Sequence, residues 1–154
     1  CRGSVKSPSA VDINGKTYMV TEIANSAFTG SKITKVTIPA SITKIGNAAF
    51  KNCKKLKTVT IGKNVTQIGN EAFRGTAVAK ITIPSKVKKI GKKAFYGCKK
   101  LKTVTIKSSR LRSVGNSAFK SIAKKSTIKC PKAKKTKYKN MLKNKYSSKY
   151  TKLK

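Results

Sequence analysis

The chain has no histidine, no tryptophan and only three carboxylates, Asp12, Glu22 and Glu71, among 154 residues. Without His there is no Ser-His-Asp triad, no Cys–His pair and no imidazole metal site. Paired-carboxylate hydrolysis and two-metal catalysis need acids that meet in space, and three scattered ones argue against both. The expectation is a non-enzyme with no catalytic residue, no cofactor and no metal. No apolar run approaches the roughly 18 residues of a membrane helix, and no signal-peptide pattern is visible. Cys1, Cys53, Cys98 and Cys130 are too far apart for any CxxC pair, so they give no metal signature and leave the redox compartment open. Cys1 is either a lipid-anchored first residue or a fragment start, and the second is favoured.

Positive charge and periodicity are abundant. Lys and Arg number 38, for a formal net charge of +35. The length suits one domain. The motif Ile-Gly-x-x-Ala-Phe recurs at Ile45–Phe50, Ile68–Phe73 and Ile90–Phe95, with softer copies ending on Phe28 and Phe119. The five phenylalanines are 22, 23, 22 and 24 residues apart, and no other Phe exists. In step with them run Val36-Thr37-Ile38, Val59-Thr60-Ile61, Ile81-Thr82-Ile83 and Val104-Thr105-Ile106, with Ser126-Thr127-Ile128 as a worn fifth copy. An apolar residue three places earlier completes L-x-x-V-x-I, the strand signature of leucine-rich repeats. A 45-residue super-repeat overlies this: CKKLKTVTI stands at 53–61 and again at 98–106.

Alternation in Val-Thr-Ile turns aliphatic side chains inward and Thr outward. Strands so short bury nothing alone, so coils must stack with parallel strands about 4.8 Å apart. A second extended piece follows, as at Ile42–Ile45 and Val65–Ile68. Gly then suits a tight corner, and Ala-Phe a short helical or 3₁₀ turn whose ring joins an axial aromatic column. The expected fold is a leucine-rich-repeat solenoid, β-dominated with short helical turns, of five coils of 22–24 residues. Residues 1–10 read as a disordered leader. Residues 11–130 read as the solenoid, fronted by a hairpin of Val11–Ile13, Asn14-Gly15 and Lys16–Val20 that covers the first coil. Residues 131–154 read as a Lys-rich cap: Pro131 opens a helix over Lys132–Tyr146 carrying Tyr138, Met141 and Leu142, and a strand follows near Lys149–Leu153.

The string Ile-Gly-x-x-Ala-Phe-x-x-Cys-x-x-Leu-x-x-Val-x-Ile resembles the BspA-like, TpLRR-type repeats of bacterial surface proteins over about residues 16–130. The resemblance implies a curved right-handed solenoid, secretion to the bacterial surface, and adhesion to a host or neighbouring-cell protein or glycan. It carries no catalytic motif. This chain departs from the family in its extreme Lys content and small repeat number.

Stacking turns positions into ladders. The expected ligand face holds Lys35, Thr37, Lys57, Thr60, Lys80, Thr82, Lys102, Thr105, Lys124 and Lys125, a Thr ladder flanked by lysines. It suits a protein or glycan ligand, or a polyanion such as teichoic acid or sulfated glycan. The plainer reading is that Lys serves everywhere as the default polar residue, since it also fills the turns at Lys54, Lys55, Lys99 and Lys100. Specific nucleic-acid binding is not expected: there are only four Arg, the rings are committed to the core, and no recognition motif is present. A monomer is expected. Cys53 and Cys98 share a slot with Ser31, Thr76 and Ile122 and read as buried packing residues, two coils apart and beyond disulfide reach. Cys130 reads as semi-buried.

Overall fold

The computed structural model describes residues 4–6, 10–13, 16–146 and 151–154. Its strands run Ser4–Lys6 (β1), Ala10–Ile13 (β2), Lys16–Met19 (β3), Glu22–Ile23 (β4), Lys35–Thr37 (β5), Lys44–Ile45 (β6) and Thr58–Thr60 (β7). They continue as Gln67–Ile68 (β8), Lys80–Ile83 (β9), Lys89–Ile90 (β10), Thr103–Ile106 (β11), Ser113–Val114 (β12) and Ser126–Lys129 (β13). A 3₁₀ turn at Lys132–Lys134, the helix Lys135–Leu142 (α1) and the strand Thr151–Leu153 (β14) complete the chain.

From β1 to β12 each coil contributes one strand to each of two parallel walls. One wall is β4-β6-β8-β10-β12, an unbroken ladder. The other holds β1-β5-β7 and β9-β11-β13-β14. β7 and β9 are neighbours but belong to separate ladders. Inward residues from both walls close the core: Val36, Ile45, Leu56, Ile68, Ile90, Leu101, Val104 and Leu111 are all at most 1% exposed. Down the axis the five Phe rings stack with centroids 5.2, 5.2, 5.3 and 5.4 Å apart and planes within 7° of parallel. Those separations suit offset stacking, and they follow from the interstrand repeat rather than from ring attraction.

The Ala-Phe segment is a turn with its own intercoil ladder, not a helical turn. Phe28 N–H donates to Ala49 O, Phe50 to Ala72, Phe73 to Ala94 and Phe95 to Ala118, all at 2.7–2.8 Å. Two residues before each Phe, Ser26, Ala48, Glu71, Lys93 and Ser117 adopt φ of +54 to +58°. Left-handed backbone at a non-glycine residue costs roughly 1 kcal/mol or more. Here it aims an N–H at the next coil, as in Ser26 to Asn47 O at 2.8 Å and Ala48 to Asn70 O at 2.7 Å.

The repeated glycine answers to proximity rather than to a tight corner. Gly46, Gly69, Gly91 and Gly115 do not have positive φ. A Cβ on any of them would come within 2.2–2.6 Å of backbone atoms in the preceding coil. In the first coil the same slot holds Ala24, which is exposed.

Both ends differ from the sequence reading. Ser4–Lys6, expected within a disordered leader, pairs in parallel with β5, Val5 opposite Val36. Residues 1–3 and 7–9 of that leader lie outside the described residues. The hairpin forms, Ala10 opposite Met19 and Ile13 opposite Lys16, while its Asn14-Gly15 turn lies outside the description. It does not seal the first coil, since Ala24 and Ala27 are exposed and Phe28 is only half-buried. It is an insertion between β1 and β4, strands of one coil.

At the other end a sixth turn follows the five read from the sequence. Tyr146 bridges Phe119, Phe119 N–H donates to Lys145 O at 2.9 Å, and Asn144 has φ of +62°. Asn144-Lys145-Tyr146 therefore repeats the backbone of the left-handed residue-Ala-Phe unit. The helix is shorter than the expected Lys132–Tyr146 and packs on β12, where a sixth short strand would otherwise lie. Tyr138 and Leu142 are fully buried, and Met141 is partly buried. Tyr138 Oη donates to the Ser108 carbonyl at 2.5 Å, so its one polar atom is satisfied.

Candidate binding face

The register of the β5-to-β14 wall assigns its outward ladders. One row runs Lys35, Thr58 in the first ladder, then Lys80, Thr103, Thr127 and Lys152 in the second. The next outward row is Thr37, Thr60, then Thr82, Thr105 and Lys129. Thr37 and Thr105 are half-buried, and Lys35, Thr60, Lys80 and Thr82 are exposed. Lys57 and Lys102 stand exposed just before β7 and β11.

β13 enters two residues out of the expected register. Ile128 pairs with Val104, not Ile106, so Thr127 and Lys129 occupy the rungs assigned to Lys125 and Thr127. Lys124 and Lys125 are exposed in the turn before the strand, off the ladder, with Lys125 at φ +57°. A two-residue shift keeps each side chain on its own face, so Ile128 fills the inward place opposite Val104 and Ser126 stays inward, fully buried, its hydroxyl meeting Thr151 Oγ1 at 2.8 Å. That pairing satisfies the buried hydroxyl.

The lysines of this wall are staggered. Lys35 and Lys80 stand on alternate coils, and Lys57 and Lys102 on the coils between. Two coils separate like charges by about 9.6 Å, where repulsion in water is about 0.4 kcal/mol and the distance is about one Debye length at physiological salt. The 45-residue super-repeat thus carries a cationic zigzag that folding tolerates.

Neutralising carboxylates are few. Glu22 pairs with Lys44 at 3.1 Å, and Glu71 with Lys51 at 2.6 Å and Arg74 at 2.8 Å. Lys51 beside it, with help from Arg74, holds the Glu71 carboxyl below its ordinary range. Tyr96 lies beneath two cations, Arg74 at 5.5 Å and Lys93 at 5.7 Å from its ring centre.

Cys53 and Cys98 are structural in position. Both are fully buried and donate to the carbonyls of Phe28 and Phe73 at 2.9 and 3.0 Å. Burial raises both thiol pKa values, and raises Cys130, partly exposed, to about 11. Raised in this way, these three thiols are poor nucleophiles. Among the described residues no three metal-ligating side chains converge, and no helix is long and apolar enough to cross a membrane.

One repeating element escaped the sequence reading. Asn25 Oδ1 accepts from Asn47 N–H at 2.7 Å, Asn47 Oδ1 from Asn70 N–H at 2.8 Å, and Asn70 Oδ1 from Lys92 N–H at 2.8 Å. Asparagine recurring three residues before four of the five Phe, with Lys92 before Phe95, was the available signal. Tyr146 was hidden by its 27-residue distance from Phe119, lengthened by the helix.

The sequence profile of the BspA type leucine-rich-repeat region matches residues 21–149, with six copies. Among curated proteins none is significantly similar in sequence. The leucine-rich-repeat protein of T. pallidum (TpLRR) superposes with a TM-score of 0.72 at 28% identity, over 83% of this chain and 58% of its own. The pneumococcal vaccine antigen PcpA gives 0.70 at 28% identity, over 83% of this chain and 34% of its own. A leucine-rich-repeat protein from Bacteroides capillosus gives 0.56 at 33% identity, over 73% of this chain and 75% of its own. The chain therefore spans 58% and 34% of the first two relatives. Profile, repeat count and superposition agree with the wound backbone described above: the chain belongs to the BspA-type leucine-rich-repeat family.

Proposed function

We propose that this protein is a non-catalytic binding module of the bacterial surface, holding a host or neighbouring-cell protein or glycan on its outward strand wall. The observation that supports this most is the pair of ladders, Lys35-Thr58-Lys80-Thr103-Thr127 beside Thr37-Thr60-Thr82-Thr105-Lys129. They offer a row of hydroxyl donors and acceptors beside ammonium groups, on a surface broad enough for an extended ligand. Repeat modules of this class work by contact rather than by chemistry. The test is binding of the purified protein to host-cell glycoproteins and glycans, compared with a variant carrying Thr60→Glu, Thr82→Glu and Thr105→Glu. Retention of the native protein in about 0.5 M salt, where exposed charge pairs are screened, with loss in the variant, supports the reading.

A second reading is favoured by the charge distribution. Residues 124–154 hold 13 lysines and no carboxylate. In this reading the basic end anchors a larger secreted protein electrostatically to cell-wall polyanion such as teichoic acid. Cell-wall binding that is abolished at about 0.5 M salt and indifferent to the three threonine substitutions would favour anchoring over adhesion.

A further inference from the structure

We propose that the cleft between the end of α1 and the last coil is a binding site for one anionic sugar unit, a pyranose ring bearing a carboxylate or phosphate. The cleft holds about 390 Å³ and is lined by Lys139, Asn140, Lys143, Asn144 and Tyr146. That volume falls within the usual range of small-molecule sites, roughly 300–1,000 Å³. Its lining supplies what such a ring requires. Two ammonium groups meet the anion, two carboxamides can donate to and accept from hydroxyls, and a phenol ring offers a face for the apolar side of the sugar. Two shallower grooves among the coil turns, one flanked by Lys54 and Lys55 and one by Lys99 and Lys100, contain lysines and glycines but no aromatic ring.

The site is held in shape by the fold. Lys139 and Asn140 stand on the last turn of the helix, and Lys143 and Asn144 on the chain that leaves it. Tyr138 and Leu142, fully buried, fix the helix on the solenoid. Lys143 N–H donates to Asn140 O at 3.2 Å, Lys145 N–H to Leu142 O at 2.8 Å, and Phe119 N–H ties Lys145 to the last complete coil. The left-handed backbone at Asn144 turns the chain from helix to Tyr146. Preorganisation of this kind lowers the cost of binding. With no carboxylate in residues 124–154, no acidic side chain of this region competes for the two ammonium groups.

The experiment is a nuclear magnetic resonance titration of the intact chain at about 0.15 M salt. Probes are digalacturonate and N-acetylglucosamine 1-phosphate, with maltose and inorganic phosphate as controls. Either acidic sugar should shift the side-chain amide signals of Asn140 and Asn144, and the tighter of the two identifies carboxylate or phosphate as the natural anion. Lys139→Gln with Lys143→Gln should weaken binding about tenfold, as loss of charge-assisted contacts requires. Lys99→Gln with Lys100→Gln should leave it unchanged. Asn144→Gly, compatible with the backbone there, should weaken binding severalfold at an unchanged melting temperature. Tyr146→Phe should retain it, since the ring face remains. Equal losses from the two lysine pairs, equal affinity for inorganic phosphate, or no shift at the two asparagines would overturn the proposal.

Discussion

Gly69 sits directly on Gly46: a Cβ on Gly69 would stand 2.6 Å from the Gly46 carbonyl carbon and 2.7 Å from Asn47 N. Neighbouring coils touch there through backbone alone, and backbone cannot step aside. Gly69→Ala is expected to cost about 3 kcal/mol, at the upper end for overpacking. Ala24→Gly, in the equivalent slot of the first coil, is expected to cost under about 1 kcal/mol, the usual penalty of chain freedom. Urea denaturation of both variants checks the contrast, and equal losses would place the glycine requirement elsewhere.

Phe73 lies third of five in the ring column, fully buried, with Phe50 at 5.2 Å and Phe95 at 5.3 Å. Phe73→Ala empties the middle of the solenoid and should cost about 3–5 kcal/mol. Lys80→Ala, exposed on the strand wall, should change stability by no more than about 0.5 kcal/mol. Thermal unfolding of the pair measures the inside–outside assignment, and similar shifts would contradict it.

The strand wall has a seam between β7 and β9. Across the next pair of coils, Lys107 N–H donates to Ile83 O at 2.9 Å and Lys102 N–H to Ala79 O at 2.9 Å. The residue equivalent to Lys107 one coil earlier is Pro84, which has no N–H to give to Ile61. Hydrogen exchange should therefore be faster for amides of Thr58–Thr60 and Lys80–Ile83 that face each other than for those between β9 and β11. Uniform protection across the wall would show that the seam is closed in solution.

Glu71 should make stability fall in acid. Its folded-state pKa lies below the unfolded value, chiefly through Lys51. The contribution is therefore present above about pH 4.5 and is lost as pH falls through the depressed folded value. Glu71 and its two partners are all partly exposed, with side-chain accessibilities of 25–35%, so the size is about 1 kcal/mol or less. Melting temperatures of the native chain and Glu71→Gln should converge towards about pH 3 and separate near pH 6. A constant gap would sever the link to ionisation. With no His side chain to titrate, the native chain should hold a flat profile between about pH 6 and 8.

Spacing alone determined the winding of this chain. Five Phe at a constant period, each tied to an L-x-x-V-x-I run, can be satisfied together only if every block returns to the same angular position, so that rings meet rings and aliphatic residues face inward. Burial of Cys53 and Cys98 was legible for the same reason, because their slot accepts only small or apolar residues. The tertiary structure decided what depends on neighbours rather than on pattern. Gly46 and Gly69 look like corner residues until the coil beneath them is in place. Ser126-Thr127-Ile128 looks like a copy of Val104-Thr105-Ile106 until the pairing is seen: Ile128, not Ser126, lies opposite Val104, which moves β13 by two residues and takes Lys124 and Lys125 off the ladder. Tyr146 falls out of period because a helix is inserted before it, and only backbone bonding to Phe119 returns it to the ring slot. Periodic burial is a property of one repeat and can be read in sequence. Register, close approach and capping are properties of two segments in contact, and exist only once the chain has wound.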